Sequence, residues 1–433
     1  MSIPRSLSLR KPGFAVTASF AFALAGACAP VWPQSPDDAM DQLAKRGISP
    51  KVVYDGDAFA NLGGGVQRGA TYEGNLHLQL FLDGGRLFSS PDTTAFITGI
   101  VIHGGQPGSF SGDAQGVSNI QAPPDVKLEE AWVQRNFFAG RSSVLAGRYD
   151  LNSEFYRLNS AGLFLNSSFG VGPEFSQSGS AGPSIFPNTA IGARIAFKPT
   201  PNVVLRTATL DGAPYDRPDG SRGAFRGGDG LLVVTEAAFL TRPAPYAQPS
   251  NRRFRIGRGA NLPPYDDKFA VGAWHYTATF NDLSDVNPNG QPVQRHGSSG
   301  VYLLVDRGLF QSQEKPAQKL AAFLQFGVGD GRVNRFGSYA SSGLVASGLM
   351  PGRPTDELGL AVAMARNGSH YIASQQQQGM PAQSSETAIE LTYLSQINKW
   401  LTMQPDFQHV IHPNTTPSIN NARTFQLRFE IAF

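Results

Sequence analysis

From about residue 48 onward, apolar and polar residues alternate in blocks of roughly ten, and clusters of Gly, Pro, Asn and Asp separate the blocks. Period-two alternation puts one set of side chains on each face of an extended strand. The C-terminal block is the clearest. Phe425, Leu427, Phe429, Ile431 and Phe433 share one face, with Gln426, Arg428, Glu430 and Ala432 on the other. Likewise Leu76, Leu78, Leu80 and Leu82 oppose Asn75, His77, Gln79 and Asp83, and Ile191, Ala193, Ile195 and Phe197 oppose Gly192, Arg194 and Lys198. Ile389, Leu391 and Tyr393 oppose Glu386, Glu390 and Thr392, whereas Leu358, Leu360, Val362 and Met364 oppose only glycine and alanine. Counting every block predicts sixteen strands, to within two, near residues 50–61, 71–82, 93–104, 126–138, 141–150, 188–198, 202–211, 230–240, 269–279, 298–310, 318–328, 336–347, 356–366, 384–395, 399–411 and 423–433.

Strands of a soluble sandwich average about 5–6 residues. Blocks of about ten suit a strand tilted across a bilayer. A sheet in lipid must satisfy every backbone N–H and C=O internally, which requires closure, with apolar side chains outward and polar ones toward a wet lumen. The predicted fold is therefore all-β, a transmembrane antiparallel β-barrel of about sixteen strands. Connections at 139–140, 199–201, 351–354 and 397–398 are tight, and those at 105–125, 151–187, 212–229, 280–297 and 367–383 are long, as expected of alternating inward turns and outward loops. Residues 241–268 break this rhythm, as a long inward turn carrying Arg252, Arg253, Arg255 and Arg258.

The N-terminus reads differently. Arg5, Arg10 and Lys11 precede an apolar run over 13–24 and a small-x-small site at Ala25-Gly26-Ala27, the pattern of a secretory signal peptide. A short helix follows over 35–46, with Ser35 able to cap it, Pro36 at its first turn and Lys45 and Arg46 at its last. The expected organisation is a signal peptide over 1–29, a periplasmic helical segment over 30–47 and a barrel over 48–433. Cys28 is the one cysteine, so no internal disulfide forms, and whether Cys28 is lipidated stays open.

Composition fits this picture. Charged residues make up 16% of the chain, against about 25% in ordinary globular proteins, as expected where half the surface faces lipid. Net charge is +3, and the signal peptide's three basic residues account for all of it (+3 − 3 = 0), so nucleic-acid binding has no electrostatic support. Past residue 32 no apolar run is long enough for a membrane helix, which excludes a helical transporter. There is no HExxH, Walker loop, G-x-S-x-G or cysteine pair, and His409 and His412 point to opposite faces of a strand. No metal, cofactor or enzymatic activity is expected.

The segments GRYDLNSEF (147–155), FLNSSFG (164–170), FAVGAWHYTATFNDL (269–283), GVYLLVDRGLF (300–310), GLMPGRPTDELGLAVA (348–363), WLTMQPDFQHVIHP (400–413) and RFEIAF (428–433) together resemble the OprB family of carbohydrate-selective porins. The resemblance runs from Gly47-Ile48 to the C-terminus. It departs in the N-terminal segment, where DDAMDQLAKRGI replaces the family's Trp-Gly-Gly motif. It implies a channel in the outer membrane of a Gram-negative bacterium, surrounded by lipid, through which mono- or small oligosaccharides diffuse passively. A general non-selective porin is the alternative, and a secreted all-β protein that binds or cleaves carbohydrate is the second. Association into a homo-oligomer is left open. The third outward connection, 151–187, is expected to fold back and narrow the pore, as in sixteen-stranded porins.

Charged side chains near that loop are the first candidates for the constriction: Arg148 and Asp150, read as sharing a lumenal face opposite Leu145, then Glu154 and Arg157. Guanidinium and carboxylate groups bridge sugar hydroxyls with paired hydrogen bonds. Ions that merely hold the loop to the wall are an equal reading. Phe155, Phe164 and Phe169 are candidates for stacking against sugar C–H groups. For Trp132, Trp274 and Tyr276 the interfacial aromatic girdle is favoured. Glu130, Arg194, Arg206 and Glu236 are second-tier residues of the lumen wall.

Overall fold

The computed structural model describes residues 36–214, 225–241 and 267–432. Among them are sixteen antiparallel strands: β1 (Ile48–Gly65), β2 (Gly69–Asp83), β3 (Thr93–Gly104), β4 (Asp125–Phe137), β5 (Ser142–Tyr149), β6 (Ala190–Thr200), β7 (Val203–Asp211) and β8 (Leu231–Leu240). The rest are β9 (Lys268–Val286), β10 (Pro292–Gln311), β11 (Lys319–Gly329), β12 (Phe336–Ser347), β13 (Glu357–Asn367), β14 (Ser385–Gln396), β15 (Leu401–Ile411) and β16 (Asn420–Ala432). Each strand pairs with its sequence neighbours, and β1 pairs with β16, so the sheet closes into a barrel. Closure leaves no unpaired edge. The expected helix is present as α1 (Pro36–Lys45), held by Arg86, whose guanidinium donates to the Ala44 carbonyl from the first inward turn.

Alternation translates directly into two faces. Leu360 and Phe425 are 53% and 41% exposed to the surroundings, while Glu390 on the strand beside Leu360 and Gln426 next to Phe425 on its own strand are fully buried inside. Val362, at the middle of β13, also faces out. An arginine there is expected to cost about 2–4 kcal/mol, the penalty for a cation at bilayer midplane. Lower recovery of folded Val362→Arg after refolding into detergent or lipid checks this.

The predicted strands match the observed ones closely, with one clear correction. Residues 280–297 form no long loop. β9 and β10 continue as a hairpin to the pair Val286–Pro292, closed by a turn in which Asn287 N–H donates to the Gln291 carbonyl. Above the membrane both faces of a hairpin meet water, so the apolar period that marks a strand is lost. The arginine-rich stretch falls within 242–266, and it and the expected signal peptide lie outside the described residues.

A second correction concerns the lumen. Inward side chains of β7 and β8 include Val204, Ala208, Leu210, Leu232 and Val234, all buried and apolar, interrupted by the paired Arg206 and Glu236. They pack with the third outward loop in one large hydrophobic cluster. This side of the barrel interior is therefore a dry core instead of a wet wall.

Candidate functional site

Two outward loops, residues 105–124 (loop 2) and 150–189 (loop 3), fold inside the barrel. A backbone taken into the interior needs partners for its N–H groups, and wall carboxylates supply them. Tyr156 N–H donates to Glu236 Oε2 at 3.0 Å, Ser160 N–H and Oγ donate to Asp306 at 3.0 and 2.6 Å, and Leu165 and Asn166 N–H donate to Glu390 at 2.6 and 3.0 Å. Loop 2 uses the same device. Ala114 and Gln115 N–H donate to Glu386 at 2.8 and 2.9 Å, and Ser118 Oγ donates to Asp57 at 2.8 Å. The loops also hold each other, through Ser167 N–H to the Gly116 carbonyl and Asn119 N–H to the Leu165 carbonyl.

Second-tier wall residues prove to be the anchors. Arg194, 2% exposed, meets Glu154 through Nε at 2.7 Å and Nη2 at 3.0 Å, and also Gln134 and Ser143. Burial alone would raise the Glu154 carboxyl, but Arg194 and Arg206 beside it hold it below its ordinary value. Glu236 is fully buried and lies 3.5 Å from Arg206 and 3.1 Å from Lys268, and it accepts from Tyr302 Oη and Tyr156 N–H. Lys268 Nζ donates as well to the Arg157 carbonyl. For Glu154, then, the geometry matches an ion pair tying the loop to the wall.

Glu130 faces inward as expected, accepting from Trp132 Nε1 at 3.1 Å and from Asp150 N–H at 3.0 Å. Its ambiguous phase has a cause. Thr98 pairs with Glu130 but Gly99 with Leu128, so Glu129 is the extra residue of a bulge, and its carboxylate lies 3.3 Å from inward-facing His77. Two adjacent acids therefore enter the lumen together, next to Asp150. Burial, then the charge of Glu129, push the Asp150 carboxyl up to about 7, against Asn152 N–H and Arg157.

Arg148 is not in this group. It pairs with Ala131 on one side and Ile191 on the other, and Ile191 is 41% exposed on the barrel exterior, while Leu145 is the residue buried inside. The phase is inverted because the apolar Leu145 has a dry interior to enter. Arg148 donates to the Thr189 carbonyl where loop 3 returns to β6. Arg148→Ala is expected to leave solute flux unchanged in liposomes, because its guanidinium does not face the lumen.

The aromatic candidates are corrected too. Phe155, Phe164 and Phe169 are at most 1% exposed inside the loop 3 core and offer no face to a permeant. Trp274 and Tyr276 point inward and are buried, Trp274 stacking on Phe175 at 5.1 Å, and Trp132 also points inward, so none belongs to an outer girdle. At Gly327 a Cβ would run into the Glu174 carboxylate, so a larger residue would have to displace that side chain where loop 3 seats on β11.

The polar side of the interior is the wall of β1 to β4 and β16. Here Asp55, Glu73, His77 and Gln79 project inward opposite loop 2, a role that sequence reasoning missed although the alternation of β2 put all but Asp55 on one face. Also missed was a trio at the outer rim, Asp282, Asp285 and His370, whose ligand-type atoms lie within 4.8 Å of one another. Arg295 already binds both aspartates at 2.8 Å, and His370 Nδ1 lies 2.7 Å from Asp282, so the trio ties helix Ser369–Gln377 to the β9–β10 hairpin.

Residues 67–433 match the family model "Carbohydrate-selective porin, OprB family". Porin B of Pseudomonas aeruginosa is 23% identical over 428 residues, covering 90% of this chain and 89% of that protein. Among solved structures, "High pH structure of Pseudomonas putida OprB" superposes with a TM-score of 0.77 at 19% identity, covering 91% of this chain and 96% of that one. "Salmonella typhi OmpF complex with Daunomycin" gives 0.53 at 11% identity, covering 90% and 98%. With the family match spanning nearly the whole barrel, the chain belongs to the OprB family of carbohydrate-selective porins and is an outer-membrane carbohydrate channel.

Proposed function

We propose that mono- or small oligosaccharides cross this barrel passively, with no chemical step, between the inward-folded loops and the polar wall of β1 to β4 and β16. One observation carries the reading. Wall carboxylates at Glu236, Asp306, Glu390 and Glu386 fix loops 2 and 3 against other walls, which leaves a narrow route lined by hydrogen-bonding groups. Weak, exchangeable bonds along such a route let a polyol enter and also leave. The first 29 residues serve as the export signal in this reading.

Liposome swelling tests it. A neutral hexose should enter faster than a neutral amino acid of similar size, and equal rates would leave only a general diffusion pore. An unboiled sample should keep its compact mobility in SDS until heated, and recovery as a soluble periplasmic protein would support the secreted alternative instead.

A further inference from the structure

The lipid-facing surface changes character at the outer ends of β15 and β16. Phe407 and Phe425 pair across these strands and are 39% and 41% exposed on the exterior, and the next outward-facing pair toward the outer rim is His409 and Arg423. Two residues along a strand span about 7 Å, so a basic pair sits directly above an apolar ledge. On its other side β1 makes room. The register of β1 slips at Leu62, and Gly63 then pairs with Arg423, where a Cβ would lie 3.0 Å from Arg423 Nη2. The guanidinium therefore rests across β1 on a glycine seat.

Nothing nearby neutralises this group. Arg423 and His409, and Arg366 at the outer end of β13, have no hydrogen bond, ion pair or ring contact among the described residues. The outward positions of β13 to β16 and of β1 hold no Asp or Glu, and neither do the outer connections between them, residues 66–68, 368–384 and 412–419. Glu386, Glu390 and Asp406 belong to the same strands but are at most 1% exposed and face the interior. An arginine is tolerated at the edge of a bilayer far better than at its midplane, and an uncompensated one there attracts anionic headgroups.

We propose that Arg423 and His409, flanked by Arg366, bind a phosphate of the phosphorylated glycolipid of the outer leaflet. Arg423 offers a planar fork matched to phosphate oxygens, and His409 adds a ring nitrogen. The acyl chains lie on Phe407, Phe425 and Leu62, the last 54% exposed. A free phosphate meets the same two side chains but gains nothing from the ledge. The site faces away from the lumen and is independent of what passes through it.

The full-length protein, delipidated in detergent, tests this with bisphosphorylated lipid A as the probe and native mass spectrometry as the readout. Lipid A should stay bound at concentrations where its dephosphorylated form has dissociated, and excess inorganic phosphate should not displace it. Arg423→Gln should weaken binding about fivefold, the ordinary worth of one basic side chain at an anionic membrane surface. Adding His409→Gln should weaken it further. Arg307→Gln removes an exposed arginine near the inner end of β10 and should bind as the wild type does. Compact gel mobility confirms assembly of each variant, and the two-lipid comparison on the wild type decides by itself if a variant does not assemble. Equal affinity for both forms of the lipid, displacement by inorganic phosphate, or wild-type affinity in assembled Arg423→Gln overturns the site.

Discussion

Glu236→Ala is expected to destabilise the folded barrel by about 3–5 kcal/mol, the cost of leaving buried charges without their counter-ion. Arg206 and Lys268, 5% exposed and fully buried, lose the carboxylate that lies between them, and Tyr302 Oη and Tyr156 N–H lose their acceptor. Loop 3 is thereby released at its root. Two measurements follow from one cause: the temperature at which compact gel mobility is lost should fall, and liposome swelling should speed up because the passage widens. A wild-type transition temperature in Glu236→Ala would mean that the four contacts contribute nothing net. Glu236→Gln separates charge from contact, since it still accepts hydrogen bonds but leaves both cations unbalanced.

Phe164→Ala should act on the same loop from its tip, by about 3–5 kcal/mol, as large-to-small changes in close-packed cores do. Phe164 is 1% exposed, with ring centroids of Phe169 and Phe323 at 4.9 and 5.6 Å. It sits over Gly359 of β13, where a Cβ would lie 2.7 Å from the Phe164 Cζ. Truncation opens a void that the rigid barrel wall cannot collapse to fill. The expected result is a lower transition temperature with greater scatter in single-channel conductance, because the loop tip loses its seat. Phe164→Leu fills most of the void and should recover most of the loss.

That socket explains a feature of the chain that pattern alone left mute. On β13 the residues opposite Leu358, Leu360 and Val362 are Gly359, Ala361 and Ala363, too small to say what they face. In the structure they are small because loop 3 packs against them, and Ala361 and Ala363 are at most 3% exposed in its core. The same cause misled the reading of Arg148: Leu145 looks like a lipid-facing residue until loop 3 provides an apolar interior for it. At Glu129 and Glu130 a single bulge shifted the phase, and nothing local in β4 announces which residue is the extra one.

Arg194 was legible, being the polar member of a cleanly alternating strand, and so was its inward direction. Its partner Glu154 was a candidate as well, yet whether the two would meet each other or a permeant depended on where loop 3 goes. The Glu236 hub draws on β7, β8, β9, β10 and loop 3, and no spacing in the chain relates residues from so many elements.

The sequence by itself determined the outside of this protein: strand number, strand length, closure and the apolar outer face. Lipid is the same partner at every point of the circumference, so each strand records its outer environment in its own ten or so residues. The inside was decided by tertiary structure. There the partner of many wall residues is a loop from elsewhere in the chain, dry and mostly apolar along β7 and β8, where Arg206 and Glu236 are the polar exception, and hydrogen-bonding along β1 and β2. The distinction between a packed core and an open route exists only once loops 2 and 3 have taken their places.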